Sequence, residues 1–539
     1  MQNELQFRIF GTMLDCSRNA VPNLNSLKRW IDLTAKLGYN ALLLYTEDTY
    51  AIDGEPFFGY MRGRFSQDEL REIDRYAHAR GMTLIPCIQA LAHLWPIKRW
   101  PPYKEHFDTA DILLVGDERM YTLIEHMFES IASCFTCRTI HIGMDEAHML
   151  GRGRYYDLHG DCDHTKLMLR HLRRVCSIGE KFGFHFQIWS DMFFRIASGG
   201  EYYAENVRFG DEIRDMIPEN VELVYWDYYS KEKKHYDCMI EAHHQLNDNL
   251  CFAGGLWSWT GFAPHNAYSI DATKAALMSC RENGVQDVFL TLWGDDGAEC
   301  SRFALLPSLF CAAELAHGND DIACIAQRFT ARFGISFNDF MLLDLPGTPN
   351  TDGGQHCNQE KYALYNDCFQ GLLDKAVQPE AGQRYGSCAK KLEALETHPE
   401  WGYLFRTLAA LCRVLETKAT LGTRTRRAYH TGDHAALRLL IDEYLVLEMQ
   451  LEKFYDAFQY QWMLENKPYG FEIQDIRLGG LMRRVQHCRI RLERFCAGTL
   501  AQIEELEETQ LDIFEGRDRP YPPSLNDWRL NVSANYVSE

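Results

Sequence analysis

The residues best suited to chemistry lie in Thr139-Ile140-His141-Ile142-Gly143-Met144-Asp145-Glu146-Ala147-His148. A short apolar run ends in two adjacent carboxylates, Asp145 and Glu146, with His141 and His148 on either side. On a regular strand, neighbouring side chains point to opposite faces, so two neighbours serve one site only where the strand has stopped and the backbone turns. That geometry belongs to the C-terminal rim of a parallel β-barrel, where strand ends carry catalytic groups. Gly143 permits the close backbone approach such a turn needs. An Asp-Glu pair is ordinarily a solvated corner, because charged groups sit in water. This pair follows a buried-looking strand, and paired carboxylates there suit general acid–base work.

The elements that must position the pair follow a regular rhythm. Apolar runs at Phe7 to Leu14, Ala41 to Tyr45, Thr83 to Cys87, from Thr139, Phe184 to Trp189, Val221 to Tyr225, Leu250 to Ala253 and Val288 to Leu292 predict eight strands. Helical patterns alternate with them: Asn25 to Leu37, Ser66 to about Arg80, Glu118 to Ser133, Thr165 to Phe182, His235 to Leu246 and Ala272 to Glu282. Leu27, Trp30 and Ile31 recur near the helical period, and Gly38 and Gly81 are read as stops. Ser66-Gln67-Asp68-Glu69 is a capping box. Continuously apolar strands are buried on both faces, as in a parallel sheet. The fold class is α/β, a (β/α)8 TIM barrel over residues 1–340. Leu345 to Gly354 has linker composition, placing a linker at 341–358. Beyond it, Leu437, Leu440, Ile441, Tyr444, Glu448 and Leu451, then Ile476, Leu478, Leu481, Val485 and Ile490, mark helical stripes. Residues 359–539 are therefore an all-helical C-terminal domain with an extended tail around Pro520-Tyr521-Pro522-Pro523.

If the barrel closes, its strand ends converge on one mouth. They carry Asp15 and Arg18; Glu47 and Asp48; His93; Asp145 and Glu146; Trp189 and Asp191; Trp226, Asp227, Tyr228 and Tyr229; Trp257 and Trp259; Trp293, Asp295 and Asp296. Each alone has a plain reading as core or cap, but their joint placement matches a sugar pocket. Carboxylates and an Arg fork bind hydroxyls, and aromatic rings stack on the apolar sugar face.

Several of these segments resemble glycoside hydrolase family 20, the β-N-acetylhexosaminidases. His141-Ile142-Gly143-Met144-Asp145-Glu146 is similar to that family's His-x-Gly-Gly-Asp-Glu, with Met144 for the second Gly. Leu14-Asp15-Cys16-Ser17-Arg18 resembles its Leu-Asp-x-x-Arg, which implies that Arg18 holds the sugar's O3 and O4. Thr46-Glu47-Asp48 resembles its Thr-Asp-Asp. Pro86 to His93 resembles its Pro-Glu-Ile-Asp-x-Pro-Gly-His, with Cys87 and Gln89 replacing acids and Ala92 replacing Gly. Leu292-Trp293-Gly294-Asp295 resembles the Trp-x-Glu that binds O4 and O6, with Asp295 for Glu. The resemblance covers roughly residues 5–320. The helical C-terminal part and the wording around Trp226 and Trp257 resemble the intracellular streptococcal-type branch most.

The resemblance implies an exo-acting, retaining enzyme that removes terminal β-linked GlcNAc or GalNAc by substrate-assisted catalysis, outside the two-carboxylate scheme. Glu146 is then general acid and base, and Asp145 orients the 2-acetamido group and balances the charge of an oxazolinium. Asp48 and His93 relay to Glu146, and Trp189, Trp226 and Trp293 wall the acetamide methyl. Tyr228 and Tyr229 are both candidates to bond the acetamide oxygen, and Trp257 adds to the aromatic set. A raised pKa at Glu146 is expected from an apolar wall beside a second carboxylate. The family's usual preceding small α/β domain has no counterpart before the first strand.

Composition bounds the alternatives. The chain has 539 residues, 46% hydrophobic, enough for two or three cores, and a formal net charge of −20, which disfavours nucleic acid and anionic membrane as partners. No secretory signal pattern opens the chain, and the 18 Cys, scattered in apolar segments, read as reduced thiols of a cytoplasmic protein. Cys134-Phe135-Thr136-Cys137 is a lone C-x2-C without a second half. No cofactor and no metal are expected, and a homodimer is left open. Two other classes are weighed. A metal-dependent barrel hydrolase would use His93, His141, His148, Asp145 and Asp295, but neither H-x-H nor H-E-x-x-H spacing supports it. An inactive carbohydrate-binding barrel would bind sugar without turnover, against which Asp145, Glu146, Asp48 and His93 are all present.

Overall fold

In a computed structural model, which describes residues 4–295, 297–348, 358–511 and 513, with the side chain of Glu212 set aside, eight parallel strands close into one barrel. They are β1 Ile9–Asp15, β2 Ala41–Tyr45, β3 Thr83–Cys87, β4 Thr139–His141, β5 His185–Trp189, β6 Val221–Trp226, β7 Leu250–Gly255 and β8 Asp287–Leu292, each paired with its sequence neighbour and β8 with β1. The closing register sets Phe10 beside Val288 and Thr12 beside Leu290. Strand alternation divides the core in two. Met13, Leu43, Tyr45, Val224 and Phe289 fill the lumen, and Leu14, Leu42, Leu44 and Leu290 pack outward under the helices.

The helices form for local reasons. In Leu24–Leu37, the Asn23 side chain accepts the Ser26 N–H, Leu27, Trp30, Ile31, Thr34 and Leu37 bury one stripe, and Gly38 closes the end at φ 93°. The Ser66–Glu69 capping box is present in both directions at the helix Gln67–His78, which ends earlier than expected, three residues before Gly81. The expected helix Thr165 to Phe182 is α-helical over His164–Gly179 and then tightens to a 3-10 turn. The helix expected from Ala272 begins at Asn266, because Asp344 takes the Asn266 side chain and the Ala267 N–H. That added turn is organised by a residue 78 positions away, so local periodicity does not show it.

Asp344 lies in a buried 3-10 turn packed on the barrel, within the stretch read as linker. Residues 349–357, Asp296 and the tail around Pro520 fall outside the described residues. The C-terminal part is helical, built on Gly402–Lys418, His434–Glu465 and Phe471–Cys496. Leu437, Leu440, Tyr444 and Leu451 are buried as expected, and the polar lapse in that stripe, Glu448, pairs with Arg489 at 2.6 Å. Of the second stripe, Leu478, Leu481 and Val485 are buried as expected, Ile476 is 41% exposed, and Cys488 and Leu492 continue the buried face. Among the described residues, no helix is long and apolar enough to cross a membrane.

One glycine matters to everything that follows. Gly143 has φ 70°, and a Cβ there would stand 2.0 Å from Gln89 Oε1. Gly143→Ala should cost about 1–2 kcal/mol from the left-handed backbone alone, before Gln89 is displaced. Equilibrium urea unfolding measures it, and an unchanged midpoint would mean that the turn relaxes without cost.

Candidate active site

The site is built on the turn after β4. Ile142 still donates to the Gln187 carbonyl on β5 at 2.9 Å. The backbone then enters the left-handed region at Gly143, Met144 (φ 72°) and Glu146 (φ 52°). The amides of these three residues have acceptors: Gly143 donates to His141 Nδ1 at 3.1 Å, Met144 to Gln89 Oε1 at 3.1 Å, and Glu146 to Asp191 Oδ2 at 3.0 Å. A non-glycine residue at positive φ is uncommon and persists only where its surroundings over-determine it. The result is that Asp145 and Glu146, neighbours in sequence, both reach one cavity.

Asp145 is held from two sides. Its Oδ1 accepts from Gln89 Nε2 at 2.7 Å, and its Oδ2 stands 3.2 Å from His93 Nε2. The same His93 nitrogen is 3.7 Å from Glu146 Oε2. Burial pulls the His93 imidazolium down, but Asp145 and then Glu47 more than offset it and lift its pKa to about 9. Burial works against the Asp145 anion too, yet His93, Gln89 and Arg18 hold its carboxyl below the usual carboxylate range. Asp191 goes the other way: burial and the nearby Asp145 charge raise it well above that range. Two acids in one buried space are driven apart in this manner, and their protons belong to the pair. The apolar wall expected around Glu146 is incomplete, since its side chain keeps 43% of its accessibility.

Of the expected relay, the structure brings His93 to Glu146 and gives Asp48 to Arg62. The Arg62 Nη2 lies 3.2 Å from Asp48 Oδ1 and also donates to the Ser17 carbonyl. A guanidinium fork is a stronger partner for a carboxylate than a shared imidazole. Beyond Asp145, Glu47 also raises the His93 pKa.

Arg18 lies across the cavity. Its guanidinium is 3.4 Å from both Asp15 and Glu47 and rests over the rings of Tyr45 and Trp293, at 4.7 and 4.8 Å from their centroids. Asp15 also accepts the Gly294 N–H at 3.0 Å, tying the first and last strand ends together. Trp189, Trp226, Tyr228, Tyr229, Trp293 and Asp295 line the same cavity. Tyr228 is the better anchored of the two tyrosines: it stacks on Trp226 at 5.4 Å and its hydroxyl accepts the Trp293 indole N–H at 3.0 Å, whereas Tyr229 is 40% exposed. Trp257 stands one layer back. Its indole donates to the Tyr228 carbonyl at 3.1 Å, and the cavity wall itself is Trp259, 4.7 Å from it.

Sequence reasoning left three contributors without a role. Gln89 was visible as the amide standing where the resembled family has an acid. An amide can donate to Asp145 and accept from Met144 at once, which a carboxylate cannot. Asp191 stood at a strand end, but its bond to the Glu146 backbone is tertiary. Tyr202, paired with His148 and 5.5 Å from the Trp226 ring, comes from a loop that gives no pattern signal. Among the described residues, no group of three or more His, Cys, Asp or Glu side chains is placed to hold a metal ion.

Two outcomes test this arrangement. Asp191→Asn keeps an acceptor for the Glu146 N–H and should retain most activity, while Asp191→Ala should lose about ten- to a hundredfold in kcat/KM. Equal losses in the two variants would remove the backbone bond as the cause. For His93, the folded value of about 9 exceeds the ordinary 6.5. The proton is therefore bound more tightly in the folded chain, and the associated stability is full below pH 6.5 and lost as pH rises through about 9. The Tm difference between wild type and His93→Ala should shrink along that interval, and a constant difference would show that His93 is not charged in the folded state.

Comparison with known proteins agrees with the geometry. Residues 6–235 match the model of the glycosyl hydrolase family 20 catalytic domain, and residues 338–522 match that of the glycoside hydrolase 20C C-terminal domain. Hexosaminidase D of Bos taurus is 23% identical over 315 residues, covering 54% of this chain and 81% of its own. Hexosaminidase D of Homo sapiens is 24% identical, covering 46% of this chain and 49% of its own, and a β-hexosaminidase of Emericella nidulans is 27% identical, covering 25% and 27%. This chain thus spans about half or less of the length of the latter two relatives. Two models of one family, matched in order by the barrel and the helical part, show that the chain is a hydrolase belonging to glycosyl hydrolase family 20.

Proposed function

We propose that this enzyme is an exo-acting, retaining β-N-acetylhexosaminidase that removes terminal β-linked GlcNAc or GalNAc with the substrate's own acetamide as nucleophile. The observation that carries the reading is the convergence of Asp145 and Glu146 on one aromatic cavity, with His93 within 3.2 and 3.7 Å of the two carboxylates. Glu146, the more accessible acid, gives its proton to the glycosidic oxygen as the C1–O bond breaks. The acetamide oxygen forms a bond to C1 and closes an oxazolinium. Asp145 accepts the acetamide N–H and faces the positive charge that develops, and His93 and Gln89 keep it anionic and fixed. The Glu146 carboxylate then takes a proton from water as that water attacks C1 from the vacated face. The ring opens and the sugar leaves with its configuration retained.

Arg18 holds hydroxyls at the far side of the sugar, and Asp295 adds an acceptor there. Trp189, Trp226 and Trp293 enclose the acetamide methyl, and Tyr228, fixed by Trp293, donates to its oxygen. The helical C-terminal domain supports a place near the intracellular streptococcal-type branch. The described cysteines are free thiols, most of them buried, which supports a reducing, cytoplasmic setting.

A panel of chromogenic β-glycosides tests the substrate. N-acetyl-β-glucosaminides or N-acetyl-β-galactosaminides should be cleaved and the plain β-glucosides and β-galactosides ignored; equal turnover of plain glucosides would overturn the mechanism. Glu146→Gln should lower kcat by about 10²–10⁴-fold on poor leaving groups. Nitrophenyl substrates need little protonation and should suffer least, so equal losses on both would remove Glu146 as the acid. Arg18→Ala should reduce kcat/KM by about ten- to a hundredfold, since charge-assisted bonds are worth roughly 1.5–3 kcal/mol.

A further inference from the structure

The helical domain does not stand apart from the barrel; it grips the loops that form the mouth. The β1 loop is held by Asn19, whose amide donates to the Gly470 carbonyl at 2.9 Å, and by the Asn23 N–H on the Glu465 carbonyl at 3.1 Å. The β7 loop, which carries Trp257 and Trp259, is held by Glu360 of the helix Gln359–Tyr365. One carboxylate oxygen, Oε1, accepts the Phe262 N–H at 2.9 Å and the Ala263 N–H at 3.1 Å. The Phe262 ring then packs at 5.4 Å from both Phe454 and Phe458 of the helix His434–Glu465. The β8 loop, which carries Trp293 and Asp295, is held through Glu299, paired with Lys361 at 3.0 Å and with Arg477. Glu299, Glu360, Lys361 and Arg477 are all buried.

Buried charges of this kind are poor contributors to stability, because desolvation offsets their attraction, and a hydrophobic substitute often serves as well. What they supply is a defined geometry. Here they meet backbone amides and loop carboxylates directly behind the aromatic wall. The wall is also linked across: Ser258 donates to the Trp293 carbonyl at 2.7 Å, which ties the β7 loop to the β8 loop.

We infer that the helical domain is the positioning element of the sugar pocket, with Glu360 as the residue that fixes the β7 loop and sets Trp259 against Tyr228 and Trp293. The inference rests on the functional reading above for the identity of the ligand. Gly261 gives a reciprocal handle on the same contact: a Cβ there would stand 2.3 Å from Glu360 Oε1. Glu360→Ala frees the loop, and Gly261→Ala pushes it away from an intact Glu360.

The test uses the full chain, with GlcNAc as the probe, read by tryptophan fluorescence and by inhibition of a chromogenic N-acetyl-β-glucosaminide. Glu360→Ala and Gly261→Ala should each weaken GlcNAc binding by about tenfold, the loss expected when two buried amides lose their acceptor. Glu360→Gln keeps an acceptor oxygen and should restore binding to near the wild-type value. In the double variant the penalties should not add, because the added methyl no longer meets a carboxylate. Hydrogen exchange should accelerate at Phe262 and Ala263 and spread to Leu256 and Trp257. Unchanged GlcNAc affinity in Glu360→Ala, or additive penalties, would overturn the inference. Should Glu360→Ala fail to fold, Gly261→Ala and Glu360→Gln still separate the outcomes. A wild-type chain that binds no GlcNAc would sink the functional reading instead. Exchange in the variants then decides the positioning role alone: acceleration confined to Phe262 and Ala263 overturns it, and spread to Leu256 and Trp257 upholds it.

Discussion

The left-handed turn after β4 is the constraint on which the rest of the site depends. A strand cannot aim two consecutive side chains into one cavity, so the chain must leave β geometry within a few residues of His141. It does so through Gly143, Met144 and Glu146, all at positive φ, and each such non-glycine residue costs of order 1–3 kcal/mol. That cost is offset by neighbours that accept the amides of these three residues: His141 from its own strand, Gln89 after β3 and Asp191 after β5. Glu146, the proposed acid, is thereby held by its backbone while its carboxylate stays accessible.

Electrostatics then divides the labour among acids that the sequence presents as equals. Asp145 is flanked by a cation and an amide donor that favour its anion, and Asp191 is pushed toward its neutral form by burial and by the Asp145 charge. Asp15 and Glu47 are matched by Arg18, and Asp48 by Arg62. A chain with a formal charge of −20 can gather these carboxylates at one mouth because Arg18, Arg62 and His93 are set among them. His93 links the two central acids and carries a proton across the neutral range, which places a positive charge beside both carboxylates.

The aromatic wall depends on a longer chain of contacts. Trp293 is fixed by Tyr228, Tyr228 is backed by Trp257, and Trp257 donates its backbone N–H to Ser269 Oγ at 2.8 Å. Behind this layer the C-terminal helices replace solvent with buried polar contacts to three βα loops. Barrel loops are usually the mobile part of such a fold, and a second domain packed on them is a direct means of keeping a small, shape-dependent sugar site constant.

Much was legible from residue order alone. Eight continuously apolar runs, interleaved with six helical patterns, determine the barrel, because strands buried on both faces and period-3.6 stripes are local properties. The same order puts Arg18, His93, Asp145, Glu146, Trp189 and Trp293 at strand ends, since a parallel barrel sends every strand end to one rim. What the order could not determine was the choice among chemically similar neighbours. Trp259 rather than Trp257 forms the wall, Arg62 takes Asp48, and Gln89 and Asp191 hold the turn after β4. The added helical turn at Asn266 and the grip of Glu360 on Phe262 also join residues about 80 to 100 positions apart. Those outcomes rest on bonds a few ångströms long between segments distant in sequence. A local pattern carries which side chains can bond, and only the closed barrel with its helical domain decides which of them meet.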